Sequence, residues 1–197
     1  EVRSIARVLG ADVDKDVFLG AEASRRRVRQ VDLGQRRIIA FATHGLVPGD
    51  LPGLNQPALA LAGTSDPQES PLLTLEDVLG LKLDADWVVL SACNTAAGDG
   101  QGAEALSGLG RGFFYAGSRA LLVTHWPVET VSARLLVTDI FDRYVKNPNA
   151  TRSAILQQAM LALMDGPGSA DEAGRGGFSH AHPMFWAPYA LYGNGAR

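Results

Sequence analysis

The only cysteine of the chain and one of its four histidines each follow a short apolar run. Cys93 ends a run over residues 87–92, and His44 ends a run over residues 37–43. Such runs, bounded by turn residues, are typical of strands buried on both faces of a parallel sheet. Because parallel strands end at one sheet edge, we expect His44 and Cys93 to lie together there. An imidazole beside a thiol can lower the pKa of the thiol and take up its proton, which yields a nucleophilic thiolate. The pair therefore predicts nucleophilic catalysis.

Strands and helices alternate along the rest of the chain, which predicts an α/β fold. Strands are expected at residues 17–20, 37–45, 58–62, 87–92, 120–124 and 187–192. Helices are expected at residues 1–10, 21–33, 102–117, 131–146 and 151–164. A capping box from Thr74 to Asp77 predicts a further short helix towards residue 81. Stretches 46–57, 63–71 and 168–177 contain the glycines and prolines of loops.

The composition is that of one globular domain with a sizeable core. The chain has 197 residues, 46% of them hydrophobic, and a net charge of −3. This mild charge does not indicate a nucleic acid or a membrane surface as partner, and no apolar stretch reaches the roughly 20 residues of a transmembrane helix. A lone cysteine fits a reducing compartment, so we expect a cytoplasmic protein. Since the chain begins at Glu1 inside a helical pattern, residues 1–197 are interpreted as one domain from a longer protein.

Other polar residues fit ordinary structural roles. The arginines of residues 25–29 are typical of a solvated helix face, with an acidic partner surface as the alternative. His180 and His182 have no third ligand at metal spacing, so no metal is expected. The glycine-rich residues 98–102 lack the Gly-Lys-Ser/Thr of a phosphate-binding loop and are interpreted as a flexible wall of the cleft.

Four motifs, in this order along the chain, resemble the CHAT domain. They are Phe41-Ala42-Thr43-His44-Gly45, Leu90-Ser91-Ala92-Cys93-Asn94-Thr95, His125-Trp126-Pro127-Val128 and His182-Pro183-Met184-Phe185-Trp186-Ala187. That family is a caspase-like peptidase domain, often attached to tetratricopeptide repeats and related to separase. The resemblance implies a three-layer sandwich with a mostly parallel central sheet flanked by helices, in a bacterial protein. Family members carry a strand before the first helix, so the sheet here could lack its first strand.

The resemblance implies a cysteine endopeptidase that cleaves a specific protein target. The Cys93 thiolate attacks the scissile amide carbonyl, and His44 protonates the departing amine. Backbone N–H groups of Gly45 and Cys93 hold the oxyanion, because a glycine allows close backbone approach. No orienting carboxylate is evident, so we expect a His44/Cys93 dyad without cofactor. The chain lacks the Gln-Ala-Cys signature of caspases proper.

The family places the segment around Trp126 beside the substrate cleft, which makes this side chain a candidate pocket wall, with core packing as the alternative. Separase carries an acidic residue just after a similar segment, and Glu129 occupies that neighbourhood here. Asp99 is a second candidate acid, so a basic or unbranched residue is expected before the cut bond. Glu129 also fits a helix-stabilising acid, and Arg111 and Arg119 are the cations that would favour an acidic residue instead.

Two other functions stay open from the sequence. The first is a binding or scaffold module that keeps the caspase-like fold without cleaving peptides. The second is a different cysteine hydrolase or an acyl transferase, because the fold and the dyad alone do not choose a substrate. The expected partners are a protein or peptide substrate and the tetratricopeptide-repeat or other regions of the same longer chain.

Overall fold

The computed structural model of the chain describes residues 1–64, 66, 69–93, 101–169 and 177–196, and gives residues 92, 93 and 101–107 by their backbone alone. The chain divides into two compact units. Phe18–Trp126 is the sheet unit, and Glu1–Val17 with Pro127–Arg197 is the helical unit. The prediction of a single domain over residues 1–197 is not tested by this division and stays a prediction.

The described residues contain six strands and seven α-helices. The strands are β1 (Ile38–Leu46), β2 (Ala58–Ala60), β3 (Leu72–Thr74), β4 (Trp87–Cys93), β5 (Ala120–Thr124) and β6 (Tyr189–Gly193). The helices are α1 (Val2–Val8), α2 (Val13–Asp16), α3 (Arg25–Gln30), α4 (Leu75–Leu79), α5 (Gln101–Ala116), α6 (Thr130–Lys146) and α7 (Arg152–Met164).

The sheet unit is built on three parallel strands. Its strand order is β3-β2-β1-β4-β5, with β4 parallel to both β1 and β5. The two short strands β2 and β3 extend the sheet beyond β1 with antiparallel pairing. The predicted α/β class is confirmed, with a mixed sheet, and the arrangement is consistent with a caspase-like α/β sandwich.

Burial on both faces fixes the central strands. Residues 87–90 of β4 are all at most 3% exposed, as the continuous apolar run predicts. In β1 the side chains of Ile39 and Phe41 are buried and alternate with more exposed neighbours. The Phe41 ring contacts Phe113 of α5, with 5.8 Å between centroids. This packing holds the carboxyl ends of β1 and β4 on a rigid base.

Two glycines near the C-terminal end of α5 let its backbone come close to neighbouring elements. A Cβ added to Gly112 would lie 2.7 Å from Leu75 Cδ1, so α5 approaches α4 at that point. Gly117 ends α5 with φ +115°, and a Cβ there would lie 2.1 Å from the carbonyl oxygen of Leu83. The turn from α5 into β5 therefore requires glycine.

The capping box predicted at the start of α4 is confirmed. The Thr74 hydroxyl accepts the Asp77 backbone N–H, and the Asp77 carboxylate accepts the Thr74 backbone N–H. Arg25 of α3 adds two hydrogen bonds of 2.8 Å to the same carboxylate. Burial acts to raise the pKa of Asp77, but the Arg25 and Thr74 hydrogen bonds outweigh it and lower the pKa. The carboxylate thus joins α3 to α4.

A second ion cluster lies at the amino ends of β1, β4 and β5, opposite the ends that carry His44 and Cys93. The Asp86 side chain, 5% exposed, lies just before β4 and pairs with Arg37 and Arg119. Arg119 also pairs with Asp84. The Arg119 guanidinium is thus held at the amino end of β5, away from the strand ends that carry the motifs.

In the helical unit, α6 packs against α1 and α7. Leu136, Ile140 and Phe141 of α6 are buried, whereas Leu135 is 39% exposed. The buried Arg152 at the start of α7 donates through Nη1 to the carbonyls of Asn194 and Ala196, at 3.3 and 2.5 Å. These bonds fix the backbone that follows β6.

Two sequence predictions differ from the structure, and two short elements were not expected. Residues 17–20 form no strand: Val17 is extended, but the described residues offer it no strand partner. The predicted helix 21–33 is interrupted, because Ser24 adopts extended dihedrals to cap α3 and Val31 ends it. Helix α2 and strand β3 were not expected, since three or four residues show no reliable period. Residues 170–176 of the predicted loop 168–177 lie outside the described residues.

Among the described residues, no helix is both long and apolar enough to cross a bilayer.

Gly117→Ala tests the close approach that sets α5 onto the sheet. The new Cβ meets the Leu83 carbonyl and the positive φ becomes strained, so we expect a loss of at least about 2 kcal/mol in the free energy of unfolding. Gly63→Ala is the matched control, because nothing lies within 4 Å of its added Cβ. Urea unfolding of both variants checks this, and equal midpoints would contradict the assigned contact.

Candidate active site

The backbone register pairs His44 of β1 with Cys93 of β4. The two strands are parallel, and this pair is the last one between them. Neighbouring strands lie about 4.8 Å apart, so the two backbones are adjacent at one edge of the sheet. The sequence prediction that both residues reach the same edge therefore agrees with this register, while the distance from imidazole to sulfur stays a prediction.

The His44 side chain is exposed at the end of a strand that is held on both sides. Towards β2, His44 pairs with Ala60, and β1 continues through Gly45 and Leu46. The neighbouring Thr43 hydroxyl donates to the Ala60 carbonyl. Thr43 thus steadies the backbone beside His44, a role that a β-branched hydroxyl next to a strand-end histidine could have suggested from the sequence.

Cys93 is the last residue of β4. Its backbone is described, and residues 94–100 that follow lie outside the described residues. The preceding Leu90 is buried and Ser91 is half-buried, so the strand is anchored up to Ser91. Asp99, one of the two candidate acids, falls in the part of the chain that is not described.

The backbone amide of Gly45 is directed towards β4. The Trp87 N–H donates to the Arg37 carbonyl at 3.2 Å, so the backbone groups of Arg37 face β4. Successive residues of a strand alternate in the direction of these groups, and Gly45 lies an even number of residues further along. Its amide therefore faces the side of Cys93 and not that of β2.

The third parallel strand brings His125 and Trp126 to the same edge. β5 ends at Thr124, which is 1% exposed, and its pairing with β4 runs up to Val123 opposite Leu90. His125 is half-buried, and Trp126 is 39% exposed. An exposed indole at this edge agrees with the predicted pocket wall, whose contact with substrate stays a prediction.

Glu129 is the N-cap of α6 in the helical unit. Its two carboxylate oxygens accept the backbone N–H groups of Val131 and Ser132, each at 2.8 Å. Burial acts to raise the pKa of Glu129, but these hydrogen bonds, with a smaller effect of His180, outweigh it and lower the pKa. The helix-stabilising role considered from the sequence is thus present, and it engages both oxygens.

The other histidines have structural surroundings. His180 is 1% exposed, packs edge-on against Phe178 and Phe185, and lies with Nε2 3.1 Å from the Ser169 hydroxyl. His182 accepts the Met184 backbone N–H at 3.2 Å. In the part of the chain that the structure describes, no three His, Cys, Asp or Glu residues are grouped as metal ligands.

Comparison with known proteins agrees with this geometry. The family model of the CHAT domain matches residues 1–194. Tetratricopeptide repeat protein 28 of Mus musculus is 30% identical over 128 residues, which are 65% of this chain and 5% of the relative. The protein of the same name from Homo sapiens is 27% identical over 128 residues, with the same shares. The match therefore spans about a twentieth of the length of these curated relatives.

The chain belongs to the CHAT domain family, since the family model covers nearly its whole length. Membership indicates a caspase-like, peptidase-related domain. The two strand ends that carry the His-Gly and Ala-Cys motifs are adjacent in the sheet.

Glu129→Gln tests the cap. Glutamine has an NH2 group in place of one carboxylate oxygen, and this group cannot accept a backbone hydrogen bond. We therefore expect a loss of about 1 kcal/mol in the free energy of unfolding at pH 7. The folded pKa of Glu129 lies below its ordinary value of 4.5. The stability difference between wild type and variant is therefore fully present above pH 4.5, and it is lost as the pH falls through the folded pKa.

The measurement is urea unfolding of wild type and variant at pH 7 and at pH 3.5. Glu76→Gln is the control, because Glu76 is an exposed glutamate in the first turn of α4. A difference at pH 7 that persists unchanged at acid pH would contradict the ionised cap.

Proposed function

We propose that this domain is a cysteine endopeptidase that uses a His44/Cys93 dyad. The observation that carries the proposal is the register that pairs these two residues at the carboxyl end of adjacent parallel strands. Catalytic groups on strand ends are held by a rigid sheet and delivered to a cleft, which is the arrangement expected of α/β enzymes. Family membership supports the peptidase class.

The reaction proceeds in two halves. The Cys93 thiolate forms a bond to the scissile carbonyl carbon, whose π electrons move to oxygen. When the oxyanion collapses, the C–N bond breaks and protonated His44 gives its proton to the leaving amine. Water then attacks the thioester while His44 takes a proton from it, and the acid product leaves as the Cys93 thiolate is restored.

The oxyanion is stabilised by backbone donors. Gly45 is suited to this because its amide faces the β4 side, and the Cys93 amide is the second donor. In a parallel ladder of this register, the Gly45 N–H forms a hydrogen bond to the backbone of Cys93. We infer that the last pair of the ladder opens when substrate binds, which frees the amide for the oxyanion.

The domain acts within a longer protein. The relatives are named as tetratricopeptide repeat proteins, and helical repeats present extended binding surfaces. We propose that such repeats in the same longer chain select the protein target for the His44/Cys93 site, in the cytoplasm. The dyad mechanism needs no metal and no cofactor.

Cys93→Ala is expected to lower kcat for peptide cleavage by at least about 10⁴-fold, because the nucleophile is removed. His44→Ala is expected to lower it by about 10² to 10⁴-fold, since proton transfer to the leaving amine is lost. The measurement is cleavage of a fluorogenic peptide library by wild type and variants, each checked for unchanged unfolding.

His182→Ala is the matched control for the histidine variant, because His182 is exposed and lies in the helical unit. It is expected to keep wild-type cleavage. Full activity of Cys93→Ala would show that another residue is the nucleophile, and a wild-type protein without any cleavage would favour the scaffold function instead.

A basic or unbranched side chain is expected before the cut bond, because a carboxylate in the pocket attracts a cation. Both oxygens of Glu129 already accept backbone N–H groups, so Asp99 is the stronger candidate for this role. We therefore expect Asp99→Asn to reduce the preference for lysine and arginine by about tenfold and Glu129→Gln to reduce it less. Positional scanning of peptides measures both, and strong enrichment of aspartate at this position would refute the assignment.

A further inference from the structure

The four arginines of α3 divide into two kinds. Arg25 is held by two hydrogen bonds to Asp77, and Arg27 pairs with Glu22 while its guanidinium lies 5.2 Å from the centre of the Phe18 ring. These two charges are engaged within the sheet unit. Their contacts fix the helix in place and leave the other two arginines to be explained.

Arg26 and Arg29 are exposed and lie on one side of α3, because they are three residues apart. The pKa of Glu22 is lowered mainly by Arg27, and the positive charge of Arg26 adds a smaller electrostatic effect. Within the described ranges, neither the Arg26 nor the Arg29 guanidinium forms a hydrogen bond or an ion pair. Both therefore present donors that are available to a ligand.

These two side chains line a cavity of about 510 Å³. Gln30 and Arg25 stand beside them, and Asp66 and Glu69 form another part of the lining. The Glu69 carboxylate accepts the Thr64 hydroxyl at 2.9 Å. Cavities of about 300 to 1,000 Å³ are the usual size for ligand sites. Arginine donors on α3 thus share one cavity with two carboxylates.

Helix α3 forms one wall of this cavity, and its start is anchored to the segment around Ala62, which leads to Asp66 and Glu69. Ser24, which is 4% exposed, caps α3 and forms a bridge with Ala62. The Ala62 N–H donates to the Ala23 carbonyl at 2.9 Å. The arginines are therefore presented from a backbone that is fixed before any ligand arrives, which lowers the entropy cost of binding.

We propose that this cavity binds an acidic segment of a separate partner protein, with its carboxylates on Arg26 and Arg29. Arginine pairs with carboxylates through two parallel hydrogen bonds, which suits a peptide side chain. Asp66 and Glu69 repel a dense polyanion such as a nucleic acid, so a peptide with a few spaced acids is the favoured class. This binding does not depend on the chemistry of Cys93.

Fluorescence anisotropy tests the proposal with a labelled peptide of about ten residues that carries glutamate at every third position. A matched peptide has glutamine in place of each glutamate. The proteins are wild type, the double variant Arg26→Gln/Arg29→Gln, and Arg134→Gln as control, since Arg134 is an exposed arginine on α6. Each is prepared with and without Cys93→Ala, so that cleavage cannot be confused with weak binding.

Wild type and Arg134→Gln are expected to bind the glutamate peptide equally, and the double variant about tenfold or more weakly. Binding of the double variant should also depend less on salt concentration. Equal affinity of wild type and double variant, or equal affinity for the two peptides, would overturn the proposal. So would inorganic polyphosphate that binds more tightly than the peptide through the same two arginines, because the site would then be one for polyanions.

Discussion

The parallel pairing of β1 with β4 is the constraint on which the candidate site depends. A histidine and a cysteine 49 residues apart in sequence become neighbours only because the ladder aligns Ile38 with Trp87 and continues in step to His44 and Cys93. A slip of one residue would exchange the two faces of β1, and the alternation of buried Ile39 and Phe41 with more exposed neighbours opposes it. The site is thus a consequence of the register.

Packing beneath the site explains why the register is unique. Phe41 lies three residues before His44 and contacts Phe113, while Leu90 lies three residues before Cys93 and is buried in the same core. Gly117 allows α5 to return into β5 at a distance that no side chain would tolerate. The apolar core therefore places the polar strand ends, and the ion cluster around Asp86 closes the other end.

The sequence predicts the features that follow from strong local patterns. The apolar runs before His44 and Cys93, and the capping box from Thr74 to Asp77, appear in the structure as expected. Long-range partners could not be predicted in the same way. No local sequence pattern indicates that Arg25 binds Asp77. The sequence also does not show that the N-cap role of Glu129 engages both oxygens of its carboxylate.

The most direct test of the central claim is covalent labelling by a peptidyl acyloxymethyl ketone, with the labelled residue located by peptide mass mapping. The account predicts that Cys93 carries the label and that His44→Ala lowers the second-order labelling rate by roughly 100-fold at neutral pH. A label on any other residue, or the same rate in wild type and a folded His44→Ala protein, would contradict it.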